Sequence, residues 1–210
     1  MSNSAGKLRV KEILWLVIFF AVLLWSGVGP KDRFTWFLEV LPAVVALGFL
    51  AGTRKIFPLT PLVYVLILAH SLILMVGGHY TYAEVPLFDR IAEMMGSSRN
   101  NYDKVGHFAQ GFIPALVARE LLLRHKVLTE GRWLFFIVTS ICLAISAFYE
   151  LLEWWVAELT GEDAEAFLGT QGYAWDTQSD MALAFLGAIM AQLVLKRLHQ
   201  RQLETFTGAR

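Results

Sequence analysis

Residues 148–187 read FYELLEWWVAELTGEDAEAFLGTQGYAWDTQSDMALAFLG. The stretch carries Glu150, Glu153, Glu158, Glu162, Asp163, Glu165, Asp176 and Asp180, with neither Lys nor Arg among them. Unbalanced acid beside apolar runs is suited to holding a metal ion, a proton or a cationic ligand. The spacings sharpen this. Glu150 and Glu153 are i, i+3, and Asp176 and Asp180 are i, i+4; upstream, Asp103 and His107 are also i, i+4. Each pair lies on one face if its segment is helical. Carboxylates and His on facing helices are how bundles build internal metal sites. An oxygen-rich set suits Mg, Ca or Mn, and a His admits Zn or Fe. The alternative is general acid–base work by a buried carboxylate pair.

These residues must be positioned by membrane helices. Of the 210 residues 56% are hydrophobic and 17% charged, with a mean hydropathy of +0.52, against about 25% charged in soluble domains. The formal net charge of zero gives no electrostatic case for nucleic acid. The single cysteine, Cys142, excludes an intramolecular disulfide and a Cys-type zinc site. The length allows one integral-membrane domain over residues 1–210. Six segments approach the ~20 residues a bilayer crossing needs: 13–29, 34–51, 59–77, 107–123, 133–157 and 181–198. Turn signals separate them, and no internal repeat is visible. The first run ends in Ser-Gly-Val-Gly-Pro, a poor cleavage site, and reads as a retained span rather than a signal peptide. The expected fold is therefore all-α: a bundle of about six transmembrane helices. A short amphipathic helix is expected over 86–95, where Leu87, Ile91 and Met94 recur at helical spacing, lying on the membrane surface.

Lys and Arg placement sets the orientation. Lys7, Arg9, Lys11, Arg54, Lys55, Arg124, Lys126, Arg132, Lys196, Arg197, Arg201 and Arg210 fall on one side; Lys31, Arg33, Arg90, Arg99 and Lys104 fall on the other. Both termini are expected to be cytoplasmic, in a bacterial inner membrane. The fourth segment, which carries Arg119 and Glu120 near its end, would give five spans if re-entrant. On the six-span topology Glu39, His79, Asp103, Lys104, His107, Tyr149, Glu150, Glu153, Asp176, Gln178 and Asp180 share the outward end, while His70 falls in mid-span. Intramembrane ionisable residues are functional candidates by default. The bland readings stand beside these. Thr177-Gln-Ser-Asp180 matches a capping box, and Asp103 matches a helix N-cap. Residues 158–165 match a solvated acidic loop with one helical turn over 162–167. Trp154, Trp155 and Trp175 fit interface anchors, and Arg119 and Glu120 fit snorkelling or a local ion pair.

Several of these residues fall in motifs that go together. Gly77-Gly-His-Tyr-Thr-Tyr82, Asn101-Tyr-Asp-Lys-Val-Gly-His-Phe108 with Gln110-Gly111, Tyr149-Glu-Leu-Leu-Glu-Trp154, Phe167-Leu-Gly-Thr-Gln-Gly172 and Trp175-Asp-Thr-Gln-Ser-Asp-Met181 together resemble the YjdF-like family of predicted bacterial inner-membrane proteins of unknown function. The resemblance covers most of the chain. It departs at Tyr173-Ala174, where the family leads one to expect an Asp soon after Gly172. More distantly, the second half is similar to VanZ-like membrane proteins, which are associated with glycopeptide resistance. Neither resemblance implies a reaction.

The residues favour an uncharacterised inner-membrane protein with an outward carboxylate/His site. The enzymatic version is a metal-dependent hydrolase or transferase on a lipid-linked or envelope substrate. Glu150 or Glu153 would be the base, and His79, Asp103, His107, Asp176 and Asp180 the candidate ligands. Lys104, Tyr149, Gln178, Glu39 and His70 complete the candidate set. The cofactor would be a divalent metal and the surrounding partners membrane lipids; the sequence leaves the oligomeric state open. The alternatives are an ion-coupled transporter and a non-catalytic envelope binding or assembly protein. No G-x-S-x-G, H-E-x-x-H, Walker or G-x-G-x-x-G motif is present.

Overall fold

The computed structural model describes residues 10–160 and 170–207. These fold as seven helices with no strand among the described residues: α1 (Val10–Gly27), α2 (Arg33–Thr53), α3 (Pro61–His79), α4 (Pro86–Met94), α5 (Tyr102–Arg124), α6 (Arg132–Thr160) and α7 (Asp176–Thr207). The expected all-α class holds. Five of the seven, α1, α2, α3, α6 and α7, are long and apolar enough to cross a membrane. α5 is not among them, because Asp103, Lys104, Arg119, Glu120 and Arg124 dilute its apolar run. It tolerates them by position. α5 packs against α3, α6 and α7, so much of its surface meets protein rather than lipid.

The closest packing is between α5 and α7. Ala184, Gly187, Ala188 and Ala191 form a stripe of small residues on α7, facing Gly111 and Ala115 of α5. A Cβ on Gly111 would strike the Ala184 carbonyl, and one on Gly187 would strike the Phe108 carbonyl. Small residues at membrane-helix contacts allow such backbone approach. The larger side chains fill the flanks: Val63, Leu116, Leu134, Val138 and Cys142 are buried in one cluster, and Phe19, Val40, Ala43 and Met75 join α1, α2 and α3 in another. The outer faces are apolar and bare; Leu24, Phe49, Val65 and Leu193 are each at least 60% exposed, as lipid-facing side chains would be.

Helix boundaries depart from the hydropathy-based expectation. α5 begins at Tyr102 rather than 107, and α7 runs from Asp176 to Thr207 rather than over 181–198. Hydropathy marks apolar runs, whereas these helices continue over polar residues whose side chains find partners. At ~1.5 Å per residue the 32 residues of α7 extend about 48 Å, well beyond a ~30 Å hydrocarbon layer. Two termination readings are corrected with the boundaries. Asp103 lies inside the first turn of α5, whose N-cap is Asn101. Asp180 lies one turn into α7 and is not its cap. The suggested turn over 162–167 lies outside the described residues.

Candidate functional site

Starting α5 at Tyr102 places Asp103 and His107 one turn apart on a buried face. His107 Nε2 is 3.1 Å from Asp103 Oδ1. α7 brings Asp180 to the same ring, its Oδ2 3.9 Å from Nε2. Asp103, His107 and Asp180 are each buried, and ligand atoms from all three lie within 4.8 Å of one another. The other ring nitrogen, Nδ1, is buried without a hydrogen bond and faces Glu150 Oε1 of α6 at 3.6 Å; that oxygen is likewise unbonded.

Cations clamp the far side of the two aspartates. Lys104 Nζ donates to Asp176 Oδ1, Asp180 Oδ1 and Ser179 Oγ, each at 2.7 Å. Arg99 donates to Asp176 Oδ1 at 2.5 Å and lies 3.8 Å from Asp103 Oδ2. Asp103 and Asp180 thus each present one oxygen to the basic side chains and the other toward His107. Both cations also lie over the Tyr173 ring, at 5.3 and 5.6 Å from its centroid. Gln171 fastens the Arg99 segment by exchanging hydrogen bonds with the Asn100 backbone, at 2.9 and 2.8 Å.

Beside His107 is a cavity of about 170 Å³. Glu39, Asp103, Tyr149 and Glu153 line its acidic part, and it continues to His70, Gln110 and Pro114 about halfway along α3 and α5. Tyr149 donates to Glu39 Oε2 over a long 3.3 Å. Glu153 is 8% exposed and makes no hydrogen bond or ion pair with any described residue. Tyr82 forms part of the wall. Its ring is wedged between Gly77 of α3 and Gly106 of α5, where a Cβ at either glycine would strike it. Thr81 and Tyr82 both adopt left-handed backbone, φ 55° and 54°, at a cost of order 1–3 kcal/mol each. Burial pushes the Tyr82 phenol well above its ordinary pKa, so it remains an O–H donor.

The structure therefore gathers Glu39, His70, Asp103, Lys104, His107, Tyr149, Glu150, Glu153, Asp176 and Asp180 around one ring and one cavity. Two expected residues are elsewhere. His79, at the end of α3, bonds through Nδ1 to the Ser26 carbonyl at 2.9 Å and packs on Trp25. Gln178 is exposed, because the burial of Asp176 and Asp180 turns that face of α7 outward. Asp176 sits in the cluster as the partner of Arg99 and Lys104, with one oxygen taken by both. Sequence reasoning missed Arg99, Tyr82 and Gln110. Arg99 had a signal, its i, i+4 spacing to Asp103. Tyr82 and Gln110 had none beyond lying in the motifs already quoted.

A second polar network was also missed. Of the two expectations for Arg119 and Glu120 the local ion pair holds, Glu120 pairing with Arg124 one turn on and Arg119 with Glu130, whereas neither snorkels: they are 2% and 0% exposed, and the extended α7 covers them. Glu120 accepts from Thr60 N at 2.9 Å and Thr60 Oγ1 at 2.7 Å, so it caps the N-terminus of α3, where an anion is favoured. Arg124 donates to it at 2.7 Å. His199 Nε2 lies 3.0 Å from Glu120, and its Nδ1 lies 2.9 Å from Arg119. A neutral His199 protonated on Nε2 satisfies both neighbours, donating to Glu120 and accepting from Arg119. Arg119 also meets Glu130 and Gln200. Every charge here has a partner, which marks the network as a fastening of α5, α7 and α3.

Apolar helices enclosing a buried ionisable cluster define an integral membrane protein with an internal polar site. The sequence profile of DUF2238, described as a predicted membrane protein family, matches residues 11–201, and the chain belongs to that family. It is 50% identical over 185 residues to the inner membrane protein YjdF of Escherichia coli strain K12, covering 88% of each chain. The YjdF-like resemblance is thereby established. No solved structure matches the chain.

Proposed function

We propose that this protein is a divalent-cation-dependent hydrolase or transferase acting on a lipid-linked or envelope substrate, with its cation held by Asp103, His107 and Asp180. The observation that carries the reading is the convergence of three ligand atoms from two helices. A cation ~2.1 Å from each ligand sets neighbouring ligand atoms roughly 3–3.6 Å apart; from His107 Nε2, Asp103 Oδ1 at 3.1 Å is within that range, and Asp180 Oδ2 at 3.9 Å would draw in by a few tenths of an ångström on binding. The outer ring nitrogen supports it too. A cation on Nε2 would leave the proton on Nδ1, so that the two buried atoms that lack partners, Nδ1 and Glu150 Oε1 3.6 Å away, would face each other as donor and acceptor. Glu150 would then be a positioning residue for the ring, and a cation held by Asp103, His107 and Asp180 would supply Lewis-acid activation of water or substrate.

The reading includes a topology. α5 is the sixth span, shielded by α3, α6 and α7, and residues 1–210 form one domain. α4 lies at the membrane surface with Leu87 and Met94, 63% and 87% exposed, toward lipid. Both termini are cytoplasmic, so the cluster faces outward, and the name of the E. coli relative supports an inner-membrane location. The test is elemental mass spectrometry on detergent-purified protein. One equivalent of a divalent metal is expected in the wild type, falling at least tenfold in Asp180→Asn and His107→Ala. A metal-free wild type that stays empty after exposure to Zn, Mn, Mg and Ca overturns the cation site.

A second reading is ion-coupled transport. It is favoured by the reach of the cavity from Glu39 and Glu153 to His70 and Gln110, toward the middle of the helices. Cysteine labelling at position 70 from both membrane faces would favour it, and labelling from the outward face alone would favour the enzyme.

A further inference from the structure

We infer that the cavity beside His107 binds a small organic ammonium group, anchored by Glu39 and Glu153. This deepens the reading above by naming a substrate class. It relies on that reading only for where a reacting bond would lie, not for the binding itself.

The chemistry of the walls selects the ligand. Glu39 and Glu153 are 5% and 8% exposed. Glu153 has no partner among the described residues, and the contact from Tyr149 to Glu39 is long. Among the described residues no Lys or Arg lines the cavity; Lys104 and Arg99 are engaged with Asp176, and the His107 ring nitrogens face Asp103, Asp180 and Glu150 rather than this pair. A buried carboxylate without a partner is costly, so this pair calls for positive charge from outside the chain. A hard inorganic cation would need oxygen ligands on most sides. Here Gln110 Oε1 adds one unpaired oxygen, and the rest of the surface includes the rings of Tyr82 and Tyr149 and the side chains of Leu74 and Ile145. Carboxylates together with aromatic and aliphatic carbon in one cavity suit an ammonium carrying a short carbon stem, which gains ion pairing and cation–π attraction together.

Size narrows the class. At ~30 Å³ per water in the liquid, about 170 Å³ holds roughly five or six waters. That is room for an ethanolamine- or choline-sized group, and too little for an oligosaccharide or a peptide. Such a group can arrive as the headgroup of a zwitterionic phospholipid or as a free amine.

The test is calorimetric titration of full-length, detergent-purified protein with ethanolamine and with choline. Each is compared with its uncharged counterpart, ethylene glycol and 3,3-dimethylbutanol. The expected result is saturable binding of at least one ammonium, tenfold or more tighter than its neutral counterpart. Glu39→Gln should weaken it at least tenfold, Glu39→Asp should restore part of it, and metal content should stay unchanged in both. Short-chain phosphatidylethanolamine and phosphatidylglycerol with identical tails separate the sources. Preference for the phosphatidylethanolamine over free ethanolamine assigns a lipid headgroup; equal or better binding of free ethanolamine assigns a soluble amine. Equal binding of charged and neutral compounds, or no saturable binding of either ammonium, overturns the inference. The wild-type comparison needs no variant, so misfolding cannot obscure it. Metal without ammonium binding overturns this inference alone; ammonium binding by a protein that takes up no metal overturns the cation site alone.

Discussion

Glu120→Ala is expected to destabilise the protein by about 3–5 kcal/mol, the usual cost of removing one partner from a buried ion pair. The substitution strips Thr60 N, Thr60 Oγ1 and His199 Nε2 of their shared acceptor and leaves the Arg124 guanidinium without its 2.7 Å ion pair. It also removes the carboxylate that caps α3. Glu120→Gln keeps an acceptor of nearly the same shape, so its loss should be smaller. Glu130→Ala supplies the contrast on the same network. The Glu130 side chain is 36% exposed; partial burial raises its pKa, but Lys196 and Arg119 outweigh that and hold it below the ordinary carboxylate value. Solvent screening limits what such a group contributes to about 1 kcal/mol or less. Thermal unfolding in detergent should therefore rank Glu120→Ala well below Glu120→Gln, and Glu130→Ala nearest the wild type. Equal midpoints for Glu120→Ala and Glu130→Ala would show that the network does not hold the helices.

Gly111→Ala should also be strongly destabilising, for a steric reason. The new methyl would overlap the Ala184 carbonyl, which belongs to the backbone of α7 and cannot rotate aside. Overfilling a packed contact typically costs about 1–3 kcal/mol and occasionally more, and a backbone obstacle puts this case at the upper end. The helices would have to separate, pulling Lys104 from Asp176 and Asp180 and Arg119 from His199. Gly111→Leu should abolish recovery of folded protein. Gly48→Ala is the control: nothing lies within 4 Å of a Cβ there, and relief of helical glycine should be neutral or stabilising by up to ~1 kcal/mol. Size-exclusion profiles and melting midpoints of the pair decide it. A Gly111→Ala midpoint equal to that of Gly48→Ala would mean that the α5–α7 approach is looser than the structure has it.

Much of this architecture is legible in the order of residues, for reasons that can be traced. The apolar runs give the lipid-facing helices, because lipid imposes its composition on whatever touches it. The i, i+4 spacing of Asp103 and His107 puts both on one face once the helix includes them. Spacing also relates Asp176 to Asp180 and Glu150 to Glu153. Relations between helices are not written this way. Glu120 meets Thr60 and His199 across 60 and 79 positions, and nothing local distinguishes it from a snorkelling acid near a helix end. Arg99 reaches Asp176 across 77 positions through a loop fastened by Gln171. His79 looked like a ligand by residue type and depth, yet the end of α3 turns it toward Ser26 and Trp25. Residue type was informative for membership of a polar set, and only packing decides which set.

The two polar networks also divide the molecule mechanically. α5 and α7 are joined by Lys104 to the α7 aspartates at one end, by Arg119, His199 and Glu120 at the other, and by interlocked glycines between. Two parallel rods pinned at three heights behave as a rigid frame. α2 supplies the opposite wall of the cavity through Glu39 and Pro42, packs chiefly on α3, and is tied to α6 by the 3.3 Å bond from Tyr149 to Glu39. Its other side-chain ties, Trp36 to Ser26 and Arg54 at its end to Glu12, run back to α1, so the link from α2 across the cavity is the lightest of them. The wall that carries Glu39 is thus the part of the cavity most lightly joined to that frame, and Tyr149 is the side chain that joins the two.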